Sequence, residues 1–483
     1  MQVQVKKTAG RAFHGSTVDK RNKLARTYLS NRAKQMLFEP QHPLNCFSYR
    51  VAISMLGLKE EEVYLEGRSD LRPEYFDFAW MANHIGPSEF VLRKLKESVV
   101  FSNVEPYPTD LLMELREIAA KEKFGRERGS DFEVVGVEGA QGGIGFTMLA
   151  YLNEGDEVLV PDPSYFHFAT VPIVAGAKVK RVPVTKENNY RWDPEELKEN
   201  ITLKTKMVIV CDPLNPFGTV QTRDELIEIA NICREYNILV FNNITHCTYQ
   251  IDENIQHYPM ASLHHECNMD HVISTCGTSK AYGLSGLRVG FLAGHPDLLR
   301  APSMIKSEVT KTGVNWLGQY AALAAMHDSD YVKNATRILK RNFEHLRETV
   351  RRTKGLAMPI EPAYGFSTIV DVSGTGVTAQ EICVGLFKHK IAAMPGDGLG
   401  NVGALTYLRL NYSSPDLHAL EALREALPAA IEEAKMGHYR QGVIKFFKNV
   451  GTERGQSLSK EIEKMYNQAS IPQQVDLASG STR

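Results

Sequence analysis

Apolar positions along the chain recur with two different periods. PTDLLMELREIAAKEKF (108–124) places Leu111, Leu112, Leu115, Ile118 and Ala119 at helical spacing and predicts an amphipathic helix. FEVVGVEG, EVLVPDPSY, AKVKRVPV, KMVIVCDP and HVISTCG are short apolar runs bounded by Gly, Pro or Asp, and they predict strands. Between the first two, IGFTMLAYL predicts a helix that stops at the turn Asn153-Glu154-Gly155-Asp156. YNILVFNNITH (236–246) is a further apolar run ending in two amides, as a buried strand of a parallel sheet would. Strands alternating with helices predict an α/β fold with a mostly parallel central sheet.

A long stripe (Tyr331, Ala335, Ile338, Leu339, Asn342, Phe343, Leu346, Val350) predicts a helix across 328–353 that joins this large domain to a second one. The expected organisation is an N-terminal arm at 1–45 and the N-terminal part of a small α/β domain at 46–105. A large domain follows at 106–350, then the rest of the small domain at 351–435. A polar C-terminal extension at 436–483 ends in a stretch, IPQQVDLASGSTR, expected to be disordered.

Composition narrows the class of partner. With 483 residues, 43% hydrophobic and 23% charged, the chain is an ordinary globular protein long enough for two domains. A formal net charge of −1 gives no electrostatic reason to expect nucleic acid or a membrane surface as partner. The seven cysteines form no CxxC pair and no metal-ligand spacing, so we expect no metal and a reducing, cytoplasmic compartment. No stretch approaches eighteen consecutive apolar residues.

Candidate chemistry sits where strands end. In GTSKAYGLSGLRVGF (277–291), Ser279 and Lys280 follow the strand HVISTC, and Arg288 and Gly290 lie close behind. A lysine partly desolvated at a strand end becomes a nucleophile toward carbonyls, and an arginine fork beside it suits a phosphate. Gly139, Ala140 and Gln141 stand between a strand and a helix, where backbone N–H groups take anions; GAQGGIG does not match G-x-G-x-x-G in register. Tyr165, after Pro161 and Pro163, could stack on a flat heterocycle, and the Asn215-Pro216 turn could present an amide to a ring hydroxyl. Arg409, among apolar neighbours in YLRLNYSSP, needs an anion such as an amino-acid carboxylate. Singly, each has an ordinary reading as a solvated loop residue, a core aromatic or a turn.

Together and in this order, these segments resemble the fold-type I pyridoxal-phosphate enzymes of the class I/II aminotransferase superfamily, over most of 75–430. The resemblance implies that Lys280 carries the cofactor and shuttles the proton at the substrate Cα. It implies that Ser279, Arg288 and the Gly139-Ala140-Gln141 turn hold the phosphate, that Tyr165 stacks on the pyridine ring and that Asn215 bonds its 3-oxygen. Arg409 would grip the carboxylate of a small amino-acid substrate, and Gly86, in MANHIGPSEF, would lie on the substrate side. Tyr107, in VEPYPTD, would reach a partner subunit's phosphate, which implies a homodimer with shared active sites.

Two positions depart from the family. Asn243 stands where the family has an aspartate that keeps the pyridine nitrogen protonated, and His246 stands where it has a tyrosine. Gly277 also occupies a position where a serine often lies. A ring nitrogen without its anion is a weaker electron sink. The expected reaction is therefore a specialised γ-elimination, γ-replacement or cyclisation on an activated amino acid such as S-adenosylmethionine, with a second small-molecule substrate in the case of replacement. His246 would act as a catalytic base or replace the tyrosine. Ordinary transamination is the alternative, and a non-catalytic cofactor-binding module a third reading. The Asn-Pro-Phe-Gly-Thr turn also resembles the 1-aminocyclopropane-1-carboxylate synthase branch, whose glutamate near Asn83 and longer signature around Tyr107 are missing here.

Overall fold

The structure, a computed structural model, describes residues 29–38, 42, 45–65, 70–108, 110–311 and 313–469. The tail expected at 471–483 and most of the arm expected at 1–45 lie outside these. Twelve strands are present among the described residues: β1 (Phe76–Asp77), β2 (Glu133–Glu138), β3 (Glu157–Asp162), β4 (Lys178–Pro183), β5 (Thr205–Cys211), β6 (Leu239–Asn243), β7 (Val272–Gly277), β8 (Val289–Gly294), β9 (Ser367–Asp371), β10 (Ile391–Ala392), β11 (Met394–Pro395) and β12 (Tyr407–Asn411).

Seven strands make the large sheet, in the order β2-β8-β7-β6-β5-β3-β4. All run parallel except β8, which is antiparallel to both β2 and β7. The link from β7 to β8, residues 278–288, is too short for the crossover a parallel pair requires. Successive strand residues enter different cores. Val158, Val160, Met207 and Ile209 pack in one, and Leu159, Val208, Val210 and Val240 in another. Burial on both faces is why these strands read as continuous apolar runs rather than as alternation.

The smaller domain pairs β1 with β10 in parallel and sets β12 antiparallel between β11 and β9. Its core joins Phe47 and Phe78 from the N-terminal part to Phe366, Phe387 and Leu408 from the C-terminal part. The expected connecting helix runs Ser329–Arg352 and buries Ala335, Leu339, Phe343, Leu346 and Val350 in the same core.

Several elements differ from expectation. The helix expected from 108 starts at Met113, because Leu111 is buried before it and the Leu112 N–H donates to Gln319 Oε1 at 2.6 Å. The helix expected at IGFTMLAYL starts earlier and spans Gly139–Tyr151. Its glycines let it lie against the sheet, since a Cβ on Gly143 would sit 2.5 Å from Thr275 Oγ1. The helix Glu89–Glu97, expected within the small domain, buries Val91 in the core that holds Val134, Phe291 and Ala321 of the large one.

The C-terminal extension is not merely polar. Helices Arg440–Val450 and Glu453–Ala469 bury Val443, Ile444, Phe447, Leu458 and Ile462 in the small-domain core. Arg454 donates to Asp397 O at 2.8 Å and also to Gly400 O, and the Tyr466 hydroxyl donates to buried Glu381. A polar average hides the apolar face, because about half of each helical turn faces solvent. No helix among the described residues is long and apolar enough to cross a membrane.

If the extension is part of the core, Ile462→Ala should destabilise the protein by about 2–5 kcal/mol, the usual cost of emptying a buried aliphatic site. Exposed Lys460→Ala on the same helix should stay within about 0.5 kcal/mol. Shifts in thermal and urea unfolding midpoints check both.

Candidate active site

The carboxyl ends of β2, β3, β5, β6 and β7 and the start of β8 meet at one end of the sheet, where α/β folds bind ligands. They enclose a cavity of about 160 Å³. Of the expected site residues, Ala140, Gln141, Tyr165, Asn215, Asn243, His246, Ser279, Lys280 and Arg288 all line it. Segments up to about 150 residues apart in sequence thus converge on one space.

One end of the cavity can hold an anion. The helix Gly139–Tyr151 presents its N-terminal N–H groups and dipole there. The Arg288 guanidinium donates to Ser285 O at 3.0 Å and Glu138 O at 3.3 Å, both backbone carbonyls, and forms no ion pair among the described residues. The backbones approach too closely for side chains. A Cβ on Gly139, whose φ is +69°, would lie 2.6 Å from Arg288 Nη2, and one on Gly290 would lie 2.3 Å from the Gly139 carbonyl carbon. A Cβ on Gly277 would sit 3.0 Å from Val289 O and 3.3 Å from Ala140 N, a tight fit against backbone at the position where the family often has a serine. These residues fit a phosphate.

At the other end, partial burial pulls the Lys280 amine down to about 8, and the charges of Arg409 and Arg288 add to the effect. Its Nζ donates to Met81 O. Arg409 is 4% exposed; it donates to Asn215 Oδ1 at 3.3 Å and Ala79 O at 2.7 Å, while its Nε has no partner among the described residues. Burial lowers its pKa to about 10, so it remains charged at neutral pH. A buried guanidinium facing only neutral oxygens is an incomplete ion pair.

The two amides have different work. Asn242 donates to Val210 O at 3.2 Å and accepts from Ser274 Oγ at 3.3 Å, which ties β6 to both neighbouring strands. Asn243, one residue on and so on the opposite face, lines the cavity. Its Oδ1 accepts the Thr245 backbone N–H at 3.1 Å. A backbone N–H can bond only the oxygen, so this contact fixes the amide's orientation and leaves Nδ2, a donor, for the cavity.

His246 lies edge-on to Phe366, with ring centroids 5.7 Å apart. Burial, with Lys280 and Arg409 nearby, pushes its pKa down to about 3. At so low a pKa the ring is neutral near pH 7 and a weak proton acceptor. The Tyr165 hydroxyl donates weakly to Gln141 Oε1 at 3.4 Å.

Four expected residues do not line the cavity: Gly139 lies just before Ala140, Arg409 reaches it through Asn215, and Tyr107 and Gly86 stand apart. Tyr107 is 71% exposed, with the Lys311 ammonium over its ring. Gly86 has φ +77° and accepts from the Tyr331 hydroxyl at 2.7 Å. Sequence reasoning missed Asn83, three residues before Gly86 in the same motif. Its Nδ2 reaches Lys280 O at 3.1 Å and the Tyr249 and Tyr331 hydroxyls at 3.0 and 3.1 Å. Only folding brings these oxygens together, so the linear sequence held no sign of it.

The His246 shift has a consequence for stability. Between pH 6.5 and about 3 the unfolded chain binds a proton at this position that the folded chain does not, so stability falls as pH drops through that window. His246→Gln should lessen the acid sensitivity without changing it above pH 7. Melting temperatures from pH 4 to 8 for the two proteins give the comparison.

Comparison with known proteins agrees with this geometry. The family model for aminotransferase class I and II matches residues 77–427. An aspartate aminotransferase of Pyrococcus abyssi is 31% identical over 329 residues, covering 65% of this chain and 80% of its own. An LL-diaminopimelate aminotransferase of Halothermothrix orenii is 27% identical over 353 residues, 71% of this chain and 86% of its own. Among solved structures, the aromatic aminotransferase of Pyrococcus horikoshii OT3 matches with a TM-score of 0.68 at 26% identity, over 76% of this chain and 98% of that one. The family match takes in every strand from β2 to β12 and each residue that lines the cavity, so this chain belongs to the class I and II aminotransferases, a family of pyridoxal-phosphate enzymes.

Proposed function

We propose that the protein is an aminotransferase acting on an α-amino acid. The observation that carries this reading is Arg409, a buried guanidinium without an anion, bonded to Asn215 of the cavity that also holds Lys280. A substrate carboxylate completes that ion pair and turns the amino group and Cα toward the lysine. Pyridoxal phosphate, when bound, supplies the aldehyde that joins to amines and the ring that takes up electrons released at Cα. The turn at Gly139, Ala140 and Gln141, with Ser279 and Arg288, binds the phosphate, and Tyr165 packs against the ring. Lys280 Nζ removes the Cα proton and returns it at a different position; its pKa of about 8 suits both halves of that transfer near neutral pH.

The relatives named above are aminotransferases, which favours this reading over the specialised reaction expected from sequence. Exposed Val99, Val100, Phe101, Val104, Tyr107 and Met113 make an apolar face. It suits a homodimer in which Tyr107 serves the second copy's phosphate site. Seven free cysteines fit a cytoplasmic protein.

A second reading rests on Asn243. Its Nδ2 would donate to a cofactor ring nitrogen that carries no proton, a weaker electron sink, which would let departure of a leaving group along the side chain compete better with reprotonation at Cα. This favours elimination or replacement on an activated amino acid, S-adenosylmethionine included.

An absorption spectrum separates the two. Single amino acids added without any keto acid should convert the bound cofactor to pyridoxamine phosphate; consumption of the substrate with the cofactor unconverted would support elimination instead. Lys280→Ala should lower either activity by at least about a thousandfold. Under the first reading Asn243→Asp should speed the conversion about tenfold, equivalent to about 1.4 kcal/mol.

A further inference from the structure

Beside the cofactor cavity lies a larger cleft of about 680 Å³. Met81, Lys280 and Ser285 line both spaces, so the cleft opens directly onto the amine that would take the Cα proton. From there it runs outward past Trp80, Phe76, Tyr75 and Leu71. A separate cavity of about 130 Å³ behind Arg409 touches neither Lys280 nor the other cofactor-cavity residues. With the substrate carboxylate on Arg409 and its Cα at Lys280, the side chain therefore has one roomy path, into the cleft.

We infer that this cleft is the side-chain subsite and that it selects amino acids with bulky, non-acidic side chains. The inference rests on the reading of the site as one for an α-amino acid and adds the substrate class. Size is the first argument. Cavities of about 300–1,000 Å³ hold ligands of drug size, and a side chain of one to three carbons would leave most of this one to water. The second is the wall. Trp80 is 51% exposed, and its indole N–H donates to the Tyr49 hydroxyl at 2.7 Å, which anchors the ring beside the opening. An aromatic or long apolar side chain gains by covering such a surface.

Charge is the third argument. Asp70 and Asp77 lie on the wall. The Asp77 carboxylate is held in place by the N–H groups of Ala79 and Trp80, at 2.9 and 3.0 Å. Apart from Lys280, the one cation among the described lining residues is Arg72, whose Nε donates to Glu61 O at 3.0 Å. A second carboxylate on the substrate would meet two carboxylates against that single guanidinium, so the wall does not favour an acid. His84 adds one polar contact: its Nε2 is buried and has no hydrogen-bond partner among the described residues, while its backbone N–H donates to Ser413 Oγ at 3.0 Å. Asparagine-like or heteroatom-bearing groups partway along a bulky side chain would find a partner there.

The test reads binding without chemistry. α-Methyl amino acids lack the Cα hydrogen, so their effect on the bound cofactor's absorption band reports affinity whichever reaction the enzyme performs. The holoenzyme is titrated with α-methyltryptophan, α-methylaspartate and α-aminoisobutyrate. We expect α-methyltryptophan to bind at least tenfold more tightly than α-aminoisobutyrate, and α-methylaspartate more weakly than both. Trp80→Ala should reduce the first ratio at least fivefold. A response to α-aminoisobutyrate with no gain for the bulky analogue would overturn the subsite and spare the amino-acid reading. Tight binding of α-methylaspartate, as an arginine reaching in from a second copy would give, would overturn the exclusion of acids. No response to any of the three, α-aminoisobutyrate included, would overturn the amino-acid reading and this inference with it.

Discussion

Lys280, Arg288 and Arg409 meet at the carboxyl end of one sheet, and no carboxylate pairs with any of them among the described residues. Such an arrangement is costly, and Lys280 shows it: burial and the two guanidinium charges together pull the amine down to about 8. Two anions would resolve the imbalance, a phosphate at the glycine-lined helix N-terminus and a carboxylate at Arg409. The same unpaired charge suits the phosphate of the cofactor and the carboxylate of the amino acid proposed above. The reactive lysine needs the lowered pKa, so the fold keeps counterions away from it and leaves the ligands to bring them.

Close backbone approach is what lets the charges meet. Gly290 has no room for a Cβ against the Gly139 backbone, Gly277 has little, and Gly139 takes a left-handed φ against Arg288, so the ends of β2, β7 and β8 come together around that guanidinium. The small domain closes the other side. Met81 O and Asn83 touch Lys280, and Arg409 of β12 reaches Asn215 of the large domain. The C-terminal helices complete that small-domain core, with Arg454 holding the loop whose Leu399 carbonyl accepts the Ser164 N–H, one residue from Tyr165. A segment of polar composition thus supports the cofactor cavity through two contacts.

Asn243 shows how one atom changes the character of such a site. The Thr245 N–H holds the amide oxygen, so the group facing the cavity is a donor where an aspartate would offer an acceptor and a negative charge. The neighbouring His246 is kept neutral by the same two cations, Lys280 and Arg409, and by burial. Both of these departures from the family therefore move the cavity toward less charge, and neither disturbs the residues proposed to bind phosphate or carboxylate.

The apolar runs of β2–β8 and the residues at their ends were legible in the sequence, because a sheet buried on both faces and a ligand site at strand ends each leave a local mark. Lys280, Arg288, Tyr165, Asn215 and Arg409 were legible for the same reason, each sitting at or beside a strand in a recognisable motif. The order of strands, the antiparallel β8, the placement of Asn83 and the membership of residues 440–469 in the small-domain core were not. They depend on contacts between segments far apart in the chain, whose partners no local pattern names. The weak basicity of His246 belongs with them. Its sequence neighbours are ordinary, and its pKa is set by the burial and the two cations that only the folded chain brings to it.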